Sequence, residues 1–287
     1  MSVRGATRLK LEVWLHARRE AWRSAFVRGP LSAFVFEFVS FGVKNAWACL
    51  FGGVMLALLV GTFLVYPKDA PLARFDFLTL AALAVQAVML ATRLETWAEA
   101  RVIFAFHVVG TIMEVFKTGV GSWIYPEASL LRIAGVPLFS GFMYAAVGSY
   151  IARIWRIFDF QFDRFPPLWL QGILAVLAYA NFFTHHYLPD IRIGLFVFAV
   201  AIYGPCTLHY RPDLKTRAMP LAFGLLLAAL FIWFAENLGT FARAWVYPTQ
   251  QSGWHLVSPA KLGAWYLLMI ISFVLVAAVH GKRKLEL

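Results

Sequence analysis

Two glutamates begin the two copies of a duplicated segment in an otherwise apolar chain. Glu114–Pro126 reads EVFKTGVGSWIYP and Glu236–Pro248 reads ENLGTFARAWVYP, so Glu, Thr, Trp, Tyr and Pro recur at an offset of 122 residues. The same offset relates two later pairs, Pro137 with Pro259 and Gly141 with Gly263. A carboxyl group in apolar surroundings favours its protonated form and can act as a general acid. The paired glutamates therefore indicate acid/base chemistry.

A purely structural reading of the same glutamates stays open. Glu114 is one helical turn from Lys117 and can form an ion pair with it. Glu236 can hydrogen-bond to Asn237 or to a threonine on a neighbouring helix. In that reading the two carboxyl groups only hold helices together.

Histidines and other polar side chains are placed to join the glutamates. His107, Thr111, Glu114 and Thr118 are three or four residues apart and share one helix face. The connection NFFTHHYLPDIR brings more polar residues to the same side of the membrane, where they are expected to form one outward-facing pocket. The predicted catalytic residues are Glu114, Glu236, His107, His185, His186 and Asp190, and the predicted substrate-binding residues are Thr111, Thr118, Trp123, Tyr125, Asn181, Asn237, Thr240, Trp245 and Tyr247.

No metal or other cofactor is predicted. Imidazole and carboxylate groups suit zinc or iron, and the residues that would hold such an ion are His107, His185, His186 and Asp190. However, the sequence has no HExxH motif. It also has no Gly-rich phosphate loop, no GxSxG elbow and no dinucleotide fingerprint, so nucleotide-driven chemistry is not indicated.

The elements that must position these residues are transmembrane helices. Hydrophobic residues make up 61% of the chain and charged residues only 14%, a composition that no water-soluble domain has. Apolar segments of about 18 to 23 residues, enough to cross a bilayer, occur eight times. They are Lys44–Tyr66, Phe75–Ala91, Val102–Val120, Ile133–Ile154, Pro167–Thr184, Ile191–His209, Met219–Thr240 and Lys261–His280.

The basic residues predict the orientation of these spans. The termini and alternate loops carry 19 of the 26 Lys and Arg residues, and such loops face the cytoplasm. Both termini are therefore expected inside, in a bacterial inner membrane. The net charge of +11 serves to orient the chain and to attract anionic lipid headgroups, so a nucleic-acid partner is not expected.

The duplication predicts an all-α, polytopic bundle of two parallel four-helix repeats, because its copies lie four spans apart. A pseudo-twofold axis along the membrane normal would relate the halves, about 44–154 and 167–280. The expected domains are a basic N-terminal segment at 1–30, a single transmembrane domain at 31–280 and a basic tail at 281–287. Glu12–Arg23 mixes tryptophan with arginine and predicts a helix at the membrane surface.

Long strings resemble a bacterial integral-membrane family of unknown function, the YoaT-like family (domain of unknown function 817). They are NAWACLFGG, ATRLETWAEARVIFAFHVVGTIMEVFKTGVGSWIYPE, GVPLFSGFMYAAVGSYIAR, NFFTHHYLPDIR and WFAENLGTFARAWVYP, and the resemblance covers about Phe41 to His280. This family implies no particular activity.

A second set of residues is similar to the signature of membrane carotenoid hydratases and related carotenoid-biosynthesis proteins. The set is Glu114, Thr118-Gly119, Gly121, Tyr125 and Gly135-Val136-Pro137, while Trp123 stands at an aromatic position of the pattern. The resemblance implies that Glu114 is the acid that protonates a polyene double bond.

The leading functional hypothesis is a membrane-embedded enzyme that acts on a lipid or an isoprenoid, carotenoid-like substrate by acid/base chemistry. The first alternative is a small transporter in which the same glutamates bind a proton or a cation. The second alternative is a non-catalytic membrane scaffold. The sequence does not identify the oligomeric state.

Overall fold

Most of the apolar segments form helices, as expected where a backbone in lipid must satisfy its own hydrogen bonds. The structure is a computed structural model, and it describes residues 17–18 and 20–280. Of the predicted surface helix Glu12–Arg23, residues 17–18 and 20–23 are described and are helical, whereas residues 12–16 and 19 lie outside the described part, as does the basic tail at 281–287. The helices are α1 (Pro30–Ala48), α2 (Leu50–Val65), α3 (Arg74–Ala91), α4 (Trp97–Gly119), α5 (Phe139–Ile157), α6 (Leu168–Thr184), α7 (Arg192–Tyr203), α8 (Leu221–Phe241) and α9 (Ala260–His280).

Several helices are long and apolar enough to cross a bilayer. Among the described residues, α3, α8 and α9 meet that requirement singly. The pair α1 and α2 meets it together, as a span bent by 72° at Cys49. The helices α6 and α7 are apolar but shorter. The described chain therefore has three candidate membrane spans, or four with the bent pair.

Three segments differ from the sequence expectation. The segment Lys44–Tyr66 is broken at Cys49, and its first five residues belong to α1. Helix α5 begins at Phe139, because a short hairpin, β1 (Arg132–Ile133) with β2 (Val136–Pro137), occupies the start of the predicted span. Helix α7 ends at Tyr203, because Pro205 cannot continue a helix.

A small sheet at one end of the bundle was not expected from the sequence. It contains β3 (Gln161–Asp163), β4 (Thr207–Tyr210) and β5 (Arg217–Pro220), paired antiparallel in that order. The strands come from the connections after α5 and α7. Arg217 in β5 forms a two-pronged ion pair with Glu37 of α1, at 2.6 Å for each bond. The sheet therefore ties α1 to the two connections.

Helices α4 and α8 end in the same turn. They end at Gly119 and Phe241, which are 122 residues apart. Gly121 and Arg243, also 122 apart, follow with left-handed φ values of 73° and 51°. The backbone N–H to C=O bonds match as well: Val120 to Phe116, Gly121 to Thr118 and Ser122 to Lys117 after α4, and Ala242 to Leu238, Arg243 to Thr240 and Ala244 to Gly239 after α8.

The two loops that follow these turns pair with each other. Ile124 and Val246 form an isolated antiparallel bridge. Each N–H donates to the other's carbonyl, at 3.0 Å and 2.9 Å. Because the two residues are also 122 apart, the bridge joins equivalent positions of the duplicated segments. It therefore brings the residues after both glutamates to one place.

Helices α4 and α5 approach closely at glycines. The ring of Phe106 on α4 lies against Gly148 of α5, where an added Cβ would stand 2.7 Å from a ring carbon. The ring of Tyr144 on α5 covers Gly110 of α4, where an added Cβ would stand 2.6 Å from the ring. These contacts fix the rotation of α4 and so the direction in which Glu114 points.

The close approach predicts that Gly148→Ala destabilises the protein. The new methyl group collides with the Phe106 ring, and overpacking of this kind costs about 1–3 kcal/mol. We expect a lower melting temperature in detergent. The matched control is Gly172→Ala on α6, where an added Cβ meets no atom within 4 Å. Equal melting temperatures for the two variants would contradict the packing described.

Candidate functional site

Glu114 is buried and accepts three hydrogen bonds from aromatic side chains. Its side chain is only 4% exposed. The Trp123 indole N–H donates to Oε2 at 2.7 Å, and the Tyr125 hydroxyl donates to the same oxygen at 2.6 Å. The Tyr144 hydroxyl of α5 donates to Oε1 at 2.6 Å. Two of the three donors come from the loop that the left-handed turn at Gly121 directs back over the helix end.

Glu236 has a similar but smaller set of donors. Its Oε1 accepts from the Tyr247 hydroxyl, which corresponds to Tyr125 in the other copy. Its Oε2 accepts from the indole N–H of Trp265 on α9, at 2.6 Å. Trp245, the counterpart of Trp123, instead lays its ring against Gly239. The duplicated segments thus hold both carboxyl groups, but with different partners.

The tyrosines of the two loops are poised to donate. Burial raises the pKa of Tyr125 well above its usual value, and the nearby Glu114 raises it further. Burial and then Glu236 act in the same way on the pKa of Tyr247. Both hydroxyls therefore keep their protons and can stabilise an ionised carboxylate beside them.

Both glutamates line one cavity of about 260 Å³. Along α5 its wall extends from Ser140 to Tyr150, about 15 Å at the rise of an α-helix. At its other end it reaches Cys49, where α1 and α2 meet. The rest of the wall is mostly apolar or aromatic and includes Leu56, Met143, Val147, Phe182, Ile232, Trp245 and Leu268.

Part of the cavity wall is made by exposed residues on helices rather than on loops. Among its lining residues Gly53 on α2 and Phe231 on α8 are exposed, Phe231 by 63%. Both belong to apolar helices of the candidate spans. An opening between α2 and α8 would face acyl chains, so an apolar molecule could enter from the bilayer.

Lys261 is the cation at the cavity. Its ammonium lies 4.3 Å from the centroid of the Tyr247 ring and 5.7 Å from that of the Trp123 ring. It is also within electrostatic range of Glu236. The cavity therefore combines two carboxyl groups and one ammonium group inside aromatic walls.

The hypothesis that the glutamates only hold helices together predicted hydrogen-bond and ion-pair partners that differ from those observed. Lys117 contacts His185 and His186 rather than Glu114. Asn237 donates to the Trp233 carbonyl and accepts from the Val257 N–H, and Thr240 donates to the Asn237 carbonyl. Neither Asn237 nor Thr240 bonds to Glu236 through a side chain, so the ion-pair and amide partners expected from the sequence are wrong.

The predicted histidines and Asp190 do not line the cavity. His185 and His186 stand over Lys117, and Asp190 accepts from Asn181 at 3.0 Å and pairs with Arg192 at 3.2 Å. His107 packs on the Phe142 ring, with centroids 4.6 Å apart. Their catalytic roles stay predictions, since the structure groups them apart from the two glutamates.

The predicted substrate-binding residues divide in the same way. Trp123, Tyr125, Trp245 and Tyr247 line the cavity. Thr111 instead donates to the His107 carbonyl at 2.7 Å. The remaining members lie outside the cavity lining: Thr118, Asn181, Asn237 and Thr240.

Three residues of the site were missed by the sequence reasoning. Tyr144 is matched by Tyr266 at the offset of 122 residues, so extending the repeat comparison to these positions would have found it. Trp265 and Lys261 have no such signal, because their counterparts at the offset are Met143 and Phe139. Only the fold shows that α9 directs them to the cavity.

Nothing in the described part of the chain gathers three His, Cys, Asp or Glu side chains as a metal site requires. The predicted candidates His107, His185, His186 and Asp190 belong to separate environments. The chemistry available at the cavity is that of carboxyl, phenol, indole and ammonium groups.

Comparison with known proteins agrees with the longer resemblance found in the sequence. Residues 37–273 match the family described as "Protein of unknown function (DUF817)". The chain is 40% identical over 248 residues to "Uncharacterized protein YoaT" of Bacillus subtilis (strain 168), covering 86% of this chain and 93% of the relative. No solved structure matches. Neither match is to a carotenoid hydratase, so that likeness is not shown. The chain belongs to the DUF817 family of proteins of unknown function.

Proposed function

We propose that the protein is a polytopic inner-membrane protein of eight spans, with both termini in the cytoplasm and two parallel four-helix repeats. The matched turns after α4 and α8 support the repeat. The reciprocal Ile124–Val246 bridge supports a pseudo-twofold axis, because bonds exchanged between equivalent residues are what such an axis generates. Basic residues on the inner face would attract anionic lipid headgroups.

Within this architecture the protein acts as a membrane-embedded enzyme on an unsaturated lipid or isoprenoid, by acid/base chemistry. The observation that carries this proposal is the pair Glu114 and Glu236 at one mostly apolar cavity, two of whose lining residues are exposed on helices α2 and α8. At about 260 Å³ the cavity is slightly smaller than the roughly 300–1,000 Å³ of drug-sized ligand sites. It suits one reacting segment of a longer chain whose remainder stays in the bilayer.

We propose different roles for the two glutamates on the basis of their surroundings. Lys261 stabilises the ionised form of Glu236, which makes Glu236 the base and electrostatic partner. Glu114 is within electrostatic range of Glu236, and like charges disfavour ionising both. Glu114 is therefore the acid. Two carboxyl groups in one site commonly divide acid and base roles in this way.

The reaction class is double-bond isomerisation. Glu114 gives its proton to one alkene carbon, whose π electrons form the new C–H bond, and a carbocation develops on the neighbouring carbon. The rings of Trp123, Tyr125 and Tyr247 stabilise that cation. Glu236 then removes a proton from the next carbon, and the released C–H electrons form the shifted double bond. Exchange with water then removes the proton from Glu236 and restores one to Glu114 before the next turnover.

A proton-coupled carrier is the second candidate function. One observation favours it: the 72° break between α1 and α2 lies at Cys49, which lines the inner end of the cavity. Broken helices whose half-helix ends face a substrate are typical of transport sites. In this candidate the glutamates bind protons rather than react with an alkene.

The enzyme proposal predicts that Glu114→Gln and Glu236→Gln each abolish lipid turnover. Glutamine keeps the shape but can neither give nor take the proton, and loss of a general acid or base lowers a rate by about 10²–10⁴-fold. Membranes containing the protein would be incubated in D₂O and their lipids analysed by mass spectrometry. The wild type should place carbon-bound deuterium in one lipid class, and both variants should not.

Glu95→Gln is the matched control for these variants. Glu95 is another buried glutamate, 2% exposed, but it accepts from Gln86 and Ser149 away from the cavity. Deuterium incorporation should persist in this variant if it folds, which size-exclusion chromatography checks. Labelling that persists in Glu114→Gln, or an absence of labelling in the wild type, would contradict the enzyme proposal.

Proton flux separates the carrier from the enzyme. Proteoliposomes enclosing a pH-sensitive dye would be given a pH gradient and membrane lipid extract. The enzyme proposal predicts no flux beyond that of the Glu236→Gln variant. Flux that both glutamate substitutions abolish, with an unaltered lipid profile, would establish the carrier. A scaffold would tolerate both substitutions in either assay.

The eight-span topology predicts the accessibility of single cysteines in a background without Cys49 and Cys206. Lys68→Cys and Thr249→Cys, in loops after odd-numbered spans, should react with an impermeant maleimide added to intact spheroplasts. Lys215→Cys, between β4 and β5, should react only after lysis. Reaction of Lys215→Cys before lysis would contradict the orientation.

A further inference from the structure

A buried lysine at the end of α4 has no acidic partner. Lys117 is 3% exposed, and its ammonium contacts His186 Nε2 at 2.8 Å and His185 Nε2 at 3.4 Å. The Phe182 ring lies beside it, with its centroid 4.3 Å away. Among the described residues no carboxylate lies within salt-bridge distance of this ammonium.

The histidines stabilise the lysine without neutralising it. His185 Nδ1 lies 2.8 Å from the Asn181 carbonyl, so Nδ1 carries the proton and Nε2 is a bare acceptor facing Lys117. An ammonium has only donors, so His186 must also accept through Nε2. The pKa of His186 is lowered by burial and then by Lys117, which agrees with a neutral ring. Both imidazoles thus accept from the lysine, and neither supplies a negative charge to compensate it.

Other cations surround this charge. Lys261 and Arg192 are both within electrostatic range of Lys117 and repel it. Asp190 is the acid in range, but it already pairs with Arg192 and accepts from Asn181. A buried cation left without an anion is unfavourable, so the arrangement calls for a negative ligand.

The cationic group borders the cavity. Phe182, whose ring contacts Lys117, is one of the cavity-lining residues, and Lys261 is another. His186 is exposed, so the group is open to the outside as well. An anionic headgroup between Lys117 and Lys261 would leave an attached apolar chain free to extend into the cavity.

We infer that Lys117, Lys261, His185 and His186 bind the phosphate of a lipid whose apolar chain occupies the cavity beside Glu114 and Glu236. This inference rests on the proposed function and narrows its substrate class from isoprenoids in general to lipid phosphates, away from neutral carotenoids. A phosphate can accept hydrogen bonds from both ammonium groups and from imidazole N–H groups at once.

Binding of farnesyl monophosphate and of farnesol tests the inference. The full-length protein would be placed in phosphatidylcholine nanodiscs, and quenching of cavity tryptophan fluorescence would report binding. Loss of hydrogen bonds to a charged group predicts about ten- to hundredfold weaker binding of farnesol. Equal affinity for the two compounds would overturn the inference, and this comparison needs no variant.

Substitution locates the phosphate on the named residues. The Lys117→Met variant should bind farnesyl monophosphate only as tightly as the wild type binds farnesol. Without ligand, its melting temperature should be no lower than that of the wild type, because the substitution removes an unpaired buried charge. A purely structural lysine would instead leave the preference for phosphate intact and lower the melting temperature. Lys68→Gln, which removes an exposed charge outside the group, should keep the preference.

Two further arms separate related outcomes. Phosphatidic acid that competes for the site would place the ligand among bilayer phospholipids, and its failure to compete would place it among prenyl phosphates; either result supports phosphate binding. A second arm compares binding with turnover. If Glu114→Gln still prefers the phosphate but the wild type shows no turnover, the inference stands and the proposed enzyme fails. Turnover of farnesol as fast as that of its phosphate would support the proposed enzyme but overturn the inference of phosphate binding.

Discussion

The structure depends on hydrogen-bonding two carboxyl groups inside an apolar bundle. An unpaired carboxylate there would be strongly unfavourable, and water cannot supply the missing donors. The protein supplies them from tryptophan and tyrosine, whose rings also suit apolar walls. Because most of these donors follow the glutamate by nine or eleven residues, the chain must turn back at the helix end. The left-handed turns and the loop bridge satisfy that requirement.

The residues that the two repeated segments share and the residues in which their surroundings differ have different consequences for the site. The equivalent parts, which are the glutamates, the turns and the loop tyrosines, build the two carboxyl sites. The parts that differ set their electrostatics: Tyr144 bonds only to Glu114, whereas Trp265 and Lys261 lie beside Glu236. The two carboxyl sites are thus unequal, which is what the proposed separate acid and base roles require.

Most helix positions followed approximately from the sequence, because runs of apolar residues place them, and the repeated segment identified both glutamates. The break at Cys49 left no such trace, since the segment stays apolar through it. The sheet of β3, β4 and β5 forms between connections distant in sequence, which local patterns do not encode. In contrast, Gly204-Pro205 was a readable end signal for α7.

Side-chain grouping was the harder part of the site. The spacing of His107 and Glu114 placed them correctly on one helix, but the partners of that face come from α5 and the loops. The His185–His186 pair contacts Lys117 rather than either glutamate, and neither histidine lines the cavity. Which residues share a helix was therefore predictable from the sequence, whereas the side chains that each helix face meets were not.

Infrared titration of the carboxyl groups tests the central claim, that Glu114 and Glu236 share one electrostatically coupled site. The carboxylic C=O band of Glu114 would be assigned by its loss in Glu114→Gln and followed against pH in the wild type and in Glu236→Gln. Coupled groups titrate as a pair, so the midpoint of the Glu114 band should move when Glu236 becomes neutral. An identical midpoint in both proteins would show two independent carboxyl groups and would contradict the shared site.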